Sequence, residues 1–274
     1  MHPLIFVAEL RERHGEVHLL DARWSLGRSD GHDQYLAGHI PGAVFLDVER
    51  DLTRHGEPHE GRHPLPPDAA LAAAARRWGV RQGAPVVIYD DDRMLPASRA
   101  WWALRRAGLD ARVLDGGWQA WLAAGGEVET GEVAPAPGDV ALGAPGDAGI
   151  IDTGGAAAWP EAGVLLDARV SERYRGETEP IDPIAGHIPG ARNLPIGRLL
   201  ADDGRFRPAP EIAAAFDAVG AGEDAAIAAY CGSGITAAQL ALAGALAGRD
   251  VTVYPGSWSA WSNTPGRPIA TGAE

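Results

Sequence analysis

The feature that most constrains this chain is that it repeats itself. VHLLDAR at Val17–Arg23 returns as VLLDAR at Val164–Arg169, and GHIPGA at Gly38–Ala43 returns unchanged at Gly186–Ala191. VVIYD at Val86–Asp90 matches AIAAYC at Ala226–Cys231, and VLDGGWQAW at Val113–Trp121 matches VYPGSWSAW at Val253–Trp261. Four ordered matches at a nearly constant offset mean a duplicated domain. Each half must therefore bury a core of its own, and both halves must do so with the same topology.

Within each copy, short apolar runs alternate with helical patterns. In the first copy VHLLDA, APVVIYD and ARVLDGG read as strands, GAVFLDV as a short strand or extended segment, and PPDAALAAAARRWGV, PASRAWWALRRAG and WQAWLAAGG as helices. The second copy repeats the order with VLLDA, GARNLPI, PAPEIAAAFDAVG, AAIAAYC, TAAQLALAGALAG and VTVYPG. Strands that are apolar throughout and separated by helices predict an α/β fold, a parallel sheet covered on both faces. The segment from Thr130 to Gly149 is rich in Pro, Gly and Ala and lacks periodicity. It divides the chain into a first domain at 1–130, a linker at 131–149 and a second domain at 150–274.

Composition narrows the function classes. With 24 Lys plus Arg against 37 Asp plus Glu, the net charge of −13 disfavours nucleic acid and anionic membranes as partners. The first residues carry no basic segment followed by an apolar core and cleavage site, and no run is long enough to span a bilayer, so a cytoplasmic protein is expected. Nine histidines show no metal-ligand spacing, and one cysteine excludes both an intrachain disulfide and a multi-cysteine metal cluster, so neither metal nor cofactor is expected.

That cysteine, Cys231, lies in YCGSGIT, between an apolar run and an alanine-rich helix. A strand delivering a cysteine to a helix N-terminus puts it against unpaired backbone N–H groups and the positive end of the helix dipole, which favour a thiolate. A lone cysteine is more commonly a small buried hydrophobe. Two features argue against that here. Gly232 and Gly234, separated by one residue, suit a backbone that wraps closely around something. The equivalent position in the first copy is Asp90, followed by Asp91, Asp92 and Arg93 with no glycine, so the nucleophile and its loop belong to the second copy alone.

The ordered set DAR at 21–23 and 167–169, GHIPGA twice, RHPLP at 62–66, RYRG at 173–176, CGSGITA at 231–237 and GSWSAW at 256–261 resembles tandem-domain rhodanese-type sulfurtransferases, most closely the 3-mercaptopyruvate sulfurtransferases. The resemblance covers nearly the whole chain. It implies two tandem rhodanese-like domains, a catalytically inactive first and an active second. It also implies transfer of sulfane sulfur through a Cys231 persulfide to a thiol acceptor such as thioredoxin, or to cyanide. Members that prefer thiosulfate carry basic residues after the cysteine; Gly232 and Ser233 stand there in this chain, which favours mercaptopyruvate as the small anionic donor.

The same resemblance distributes roles. The N–H groups of Gly232, Gly234, Ile235 and Thr236 would surround the sulfur. Ser233, His63 and Glu49 would form a proton relay to the pyruvate enolate, with His63 reaching the site from the first copy. Arg173 would hold the substrate carboxylate through a planar fork. A further family arginine is missing, since Glu179–Pro180 is followed by Ile181 and Asp182, and Arg175 is the candidate to replace it. Asp167 would support neighbouring loops and could orient Arg173. His39 and His187, present in both copies, are assigned to loop structure, and Trp118, Trp121, Trp258 and Trp261 to the core.

Two other chemistries use such a loop. A cysteine phosphatase needs an arginine six residues after the cysteine, and position 237 is alanine. A persulfide carrier that loads without turnover, and a thiosulfate sulfurtransferase, both remain open at this level.

Overall fold

The computed structural model describes residues 2–143 and 149–273. They form two compact units that do not simply follow chain order. The first comprises Met1–Arg54, Pro66–Gly146 and Asp203–Arg205; the second comprises His55–Leu65, Asp147–Asp202 and Phe206–Glu274. A short stretch of the first copy, containing His63, is thus part of the second unit.

The first unit holds five parallel strands, β1 (Leu4–Ile5), β2 (His18–Asp21), β3 (Val44–Phe45), β4 (Val86–Tyr89) and β5 (Ala111–Leu114), in the order β1-β5-β4-β2-β3. The second holds β6 (Val164–Asp167), β7 (Arg192–Asn193), β8 (Ile227–Tyr230) and β9 (Val251–Val253), in the order β7-β6-β8-β9. The registers repeat: Asp21 faces Tyr89 across β2 and β4, and Asp167 faces Tyr230 across β6 and β8. In the second unit the place of β1 is taken by a single parallel bridge between Ile150 and Val253.

β4 and β8 are interior strands, buried at every position, which is why they read as unbroken apolar runs. The cores match as well. Val87, Tyr89, Leu114, Trp118 and Trp121 pack together in one unit, and Leu165, Tyr230, Trp258 and Trp261 in the other. The tryptophans are core anchors whose indole N–H groups are satisfied by backbone, Trp121 by Glu127 O, Trp258 by Ile184 O and Trp261 by Pro268 O.

Parallel strands place all their carboxyl ends at one edge, where α/β sheets present their ligand-binding loops. Cys231 immediately follows β8 at that edge and is joined through Gly234 to the helix Ile235–Leu246. That helix is apolar and buried around most of its circumference, so its first turn is held fixed by the core rather than by a capping side chain.

Several elements have no sequence signal strong enough to announce them. β1 is two residues long, and the helix Gly31–Ala37 carries the polar sequence GHDQYLA. The helices Val7–Arg13 and Thr153–Ala158 are likewise additions to the predicted pattern. Residues 131–143 of the expected linker carry no regular element but are tied to the first unit. Gly131 N–H donates to Leu36 O at 2.9 Å, Gly138 N–H to Arg76 O at 2.8 Å and Gly143 N–H to Ala107 O at 3.2 Å. Its remaining part, 144–148, lies outside the described residues. Among the described residues no helix is long and apolar enough to cross a membrane.

Candidate active site

Cys231 is buried, and its sulfur accepts the Gly234 N–H at 3.1 Å. Directly after that N–H, Gly234 adopts φ +87°, a left-handed conformation that turns the chain from the loop into the helix. A Cβ at Gly234 would stand 2.5 Å from Pro255 O, so the chain closes here as tightly as glycine allows. Gly232, Gly234, Ile235 and Thr236 all occupy this loop and the first turn of the helix it opens, whose leading N–H groups have no intrahelical acceptor.

Ser257 braces the nucleophile from behind. Its hydroxyl accepts the Cys231 N–H at 3.1 Å, donates to Tyr254 O at 2.9 Å, and stands 4.0 Å from the sulfur. It does so at φ +54°, a strained value for a residue with a side chain. The matching residue of the first copy is Gly117, at φ +56°, where no strain arises. A serine kept where its sister has glycine is the one sequence-level signal that could have marked this residue.

Ser233 and His63 are in contact. His63 Nδ1 lies 2.8 Å from Ser233 Oγ, and both side chains are buried. The segment bearing His63 docks closely: Gly61, at φ +92°, leaves only 2.6 Å between a would-be Cβ and Gly256 O, and the Arg62 N–H donates to Ser259 Oγ at 3.1 Å. Ser259 N–H in turn donates to Gly232 O at 2.9 Å, which links the His63 segment to the cysteine loop. Glu49 belongs to the first compact unit, in the short helix Val48–Asp51, and accepts the Trp24 indole N–H at 2.8 Å.

The arginines are distributed differently from expectation. Arg173, half-buried, donates through Nε to Glu179 at 3.2 Å and through Nη2 to Asp182 at 3.2 Å. Asp167 does not orient it. The Asp167 carboxylate takes instead the Arg169 N–H at 2.9 Å and three guanidinium bonds, Nη2 to Oδ2 at 2.6 Å among them, and Arg169 also donates to Gly186 O at 2.6 Å. Asp21 and Arg23 make the same pair in the first copy, with Arg23 reaching Gly38 O at 2.6 Å. Repetition in the unit without the cysteine marks this pair as loop architecture.

Arg175 turns to Glu177 at 2.7 Å, an exposed pair of the kind that contributes little. Arg62, which sequence reading passed over, is the second guanidinium at the loop. A Cβ at Gly232 would lie 3.1 Å from Arg62 Nη2 and 3.4 Å from Arg173 Nη1. Asp182 bridges the two, pairing with Arg62 Nη1 as well as with Arg173. Burial pushes the Asp182 carboxyl up, with Arg62 opposing and Glu179 adding to the effect.

The remaining duplicated residues are structural. His39 and His187 each use Nδ1 on a backbone carbonyl, Tyr35 O and Tyr174 O, both at 2.8 Å, and stack on those tyrosines. Burial holds His187 below the usual imidazole range. At the position of the cysteine, Asp90 fills the first unit's N–H cradle with its own carboxylate, accepting from Asp92 at 2.8 Å, Met94 at 3.0 Å and Ala97 at 2.8 Å.

A buried thiol that accepts the Gly234 N–H at the start of a helix, a Ser–His pair two residues away and guanidiniums alongside can bind an anion, attack its sulfur and deliver a proton. Comparison with known proteins gives the family. The Rhodanese-like domain family matches residues 6–124 and 152–264. A Mycobacterium tuberculosis protein named "Putative thiosulfate sulfurtransferase SseB" is 48% identical over 260 residues, 93% of this chain and 91% of that one. A "Probable 3-mercaptopyruvate sulfurtransferase" of Pseudomonas aeruginosa is 44% identical over 283 residues, 98% of each chain. Among solved structures, the 3-mercaptopyruvate sulfurtransferase of Leishmania major superposes with a TM-score of 0.83 at 32% identity, covering 94% of this chain and 74% of that one. With two rhodanese-like domains in tandem, this chain belongs to the rhodanese family and is a persulfide-transferring sulfurtransferase related to the mercaptopyruvate and thiosulfate enzymes.

Proposed function

We propose that the chain takes sulfur from 3-mercaptopyruvate and passes it through Cys231 to a thiol such as thioredoxin, or to cyanide. The Cys231 thiolate attacks the substrate sulfur, an S–S bond forms and the C–S bond breaks, leaving its electron pair on the carbon as the pyruvate enolate. Protonation of that carbon gives pyruvate. An acceptor thiolate then attacks the outer sulfur and releases the Cys231 thiolate, carrying the sulfur away as its own persulfide.

The observation that carries this reading is the 2.8 Å contact between Ser233 and His63 beside Cys231. An enolate leaving group needs a proton, and a hydroxyl backed by an imidazole can supply one. The sulfite released from thiosulfate needs none. The 48% identity to a protein named for thiosulfate favours the second reading, in which thiosulfate is the donor.

Measurement of kcat/KM for both donors separates them. The proposal expects mercaptopyruvate to be preferred in the parent and both activities to vanish in Cys231→Ser. A parent that clearly prefers thiosulfate overturns the assignment of donor.

A further inference from the structure

The geometry points to Arg62 as a binding residue for the donor's anionic group, acting with Arg173 across the Gly232 position. The inference deepens the proposed function, since it rests on the cysteine loop receiving an anionic sulfur donor, but it does not depend on which anion that is.

Four observations support it. Glu179–Pro180 is followed by Ile181 and Asp182, neither a cation, and Arg175 is turned to an exposed glutamate. Arg62 brings its guanidinium to the loop from a different part of the chain, with Nη2 3.1 Å from where a Gly232 Cβ would be. The absence of a side chain at Gly232 is what leaves room for both guanidiniums at this face. Its Nε, buried, has no hydrogen-bond partner among the described residues. A buried N–H without an acceptor is costly, so the fold leaves this guanidinium short of partners, and Nη2, the nitrogen nearest Gly232, is the one a carboxylate or sulfonate oxygen at the loop would meet.

Asp182 explains how two like charges are held together. Its buried carboxylate binds Nη1 of Arg62 and Nη2 of Arg173, which fixes both forks and offsets their repulsion before an anion enters. The Ser259 hydroxyl on the Arg62 N–H and the Ser259 N–H on Gly232 O hold the arginine segment to the loop. A sulfur donor bearing one carboxylate can thus lie between two preset guanidiniums while its sulfur faces Cys231.

The test uses alkylation, which is independent of turnover and of the natural donor. Iodoacetate and iodoacetamide react with a thiolate by the same displacement of iodide, but only the first carries a carboxylate. The rate ratio of iodoacetate to iodoacetamide at Cys231, followed by peptide mass, is expected to fall about tenfold in Arg62→Met, the loss of a charge-assisted contact. Arg62→Lys, which keeps the charge but not the fork, should fall less. The iodoacetamide rate in each variant reports whether the loop is still formed, and Arg62→Lys carries the test if Arg62→Met does not fold. An unchanged ratio in both variants overturns the proposal, as does a fall produced by Arg175→Met and not by Arg62→Met. If the parent turns over thiosulfate alone, the mercaptopyruvate assignment fails while the alkylation ratio still decides the role of Arg62.

Discussion

Replacing Gly234 by alanine tests whether the loop is closed around the sulfur as tightly as its geometry requires. Two costs add. At φ +87° an L-residue loses about 1–2 kcal/mol to left-handed backbone strain. The new Cβ would also stand 2.5 Å from Pro255 O, well inside a carbon–oxygen contact, and a backbone carbonyl cannot swing aside. Relief of such overpacking costs roughly 1–3 kcal/mol more. Gly248, after the far end of the same helix, is the internal control: its φ of +70° is similar, but nothing lies within 4 Å of its would-be Cβ. Gly234→Ala should therefore lower the melting temperature by on the order of 5–15 °C, against about 2–6 °C for Gly248→Ala. Activity should separate the two further. The shift that relieves the clash moves the Gly234 N–H off the sulfur it meets at 3.1 Å, a contact that in the proposed thiolate attack is charge-assisted and worth roughly 1.5–3 kcal/mol. The expected loss in kcat/KM is about 10- to 100-fold for Gly234→Ala, with Gly248→Ala near the parent. Differential scanning fluorimetry and steady-state kinetics on the two variants suffice. Equal melting shifts with full activity in Gly234→Ala would refute the tight cradle.

Two further predictions concern each unit in turn. Burial pushes Asp90 up to about 7, against the pull of the three N–H groups it accepts. The folded state then keeps this proton where the unfolded chain, titrating near 4, has lost it, so stability should fall as pH rises from about 4 to about 7 by up to roughly 4 kcal/mol and level off outside that window. Urea midpoints at about pH 5 and about pH 8 should differ less in Asp90→Asn than in the parent; an unaltered slope removes Asp90 as its source. In the second unit, Ser233→Ala and His63→Gln should each slow mercaptopyruvate turnover by about 10²- to 10⁴-fold while persulfide loading from thiosulfate is largely retained, because only the enolate needs a proton. Equal losses with both donors would make the pair a structural contact.

The repeat made the architecture legible. β4 and β8 were identifiable because they are buried at every position, and the edge strands β3 and β7 because the repeated GHIPGA leads into both, whereas β1, two residues at a sheet edge with no repeated motif beside it, gave no signal. Cys231 stood out by contrast with Asp90, and His63 by resemblance. Arg62, one residue before His63, gave no signal, because its role depends on the docking of its segment against Gly256 and Ser259, nearly 200 residues away. Asp167 was legible as a loop holder, through the N–H it accepts from Arg169. Its arginine partner was misassigned, since DAR places Arg169 beside it but says nothing of which guanidinium turns back.

The central claim is that Cys231 carries the transferred sulfur. Intact and peptide mass spectrometry after brief mixing with 3-mercaptopyruvate and no acceptor tests it most directly. The account predicts one added sulfur on the peptide containing Cys231, one pyruvate released for each, removal of the sulfur by cyanide with formation of thiocyanate, and neither product in Cys231→Ser. Pyruvate released with no sulfur on Cys231, or undiminished turnover in Cys231→Ser, would contradict it.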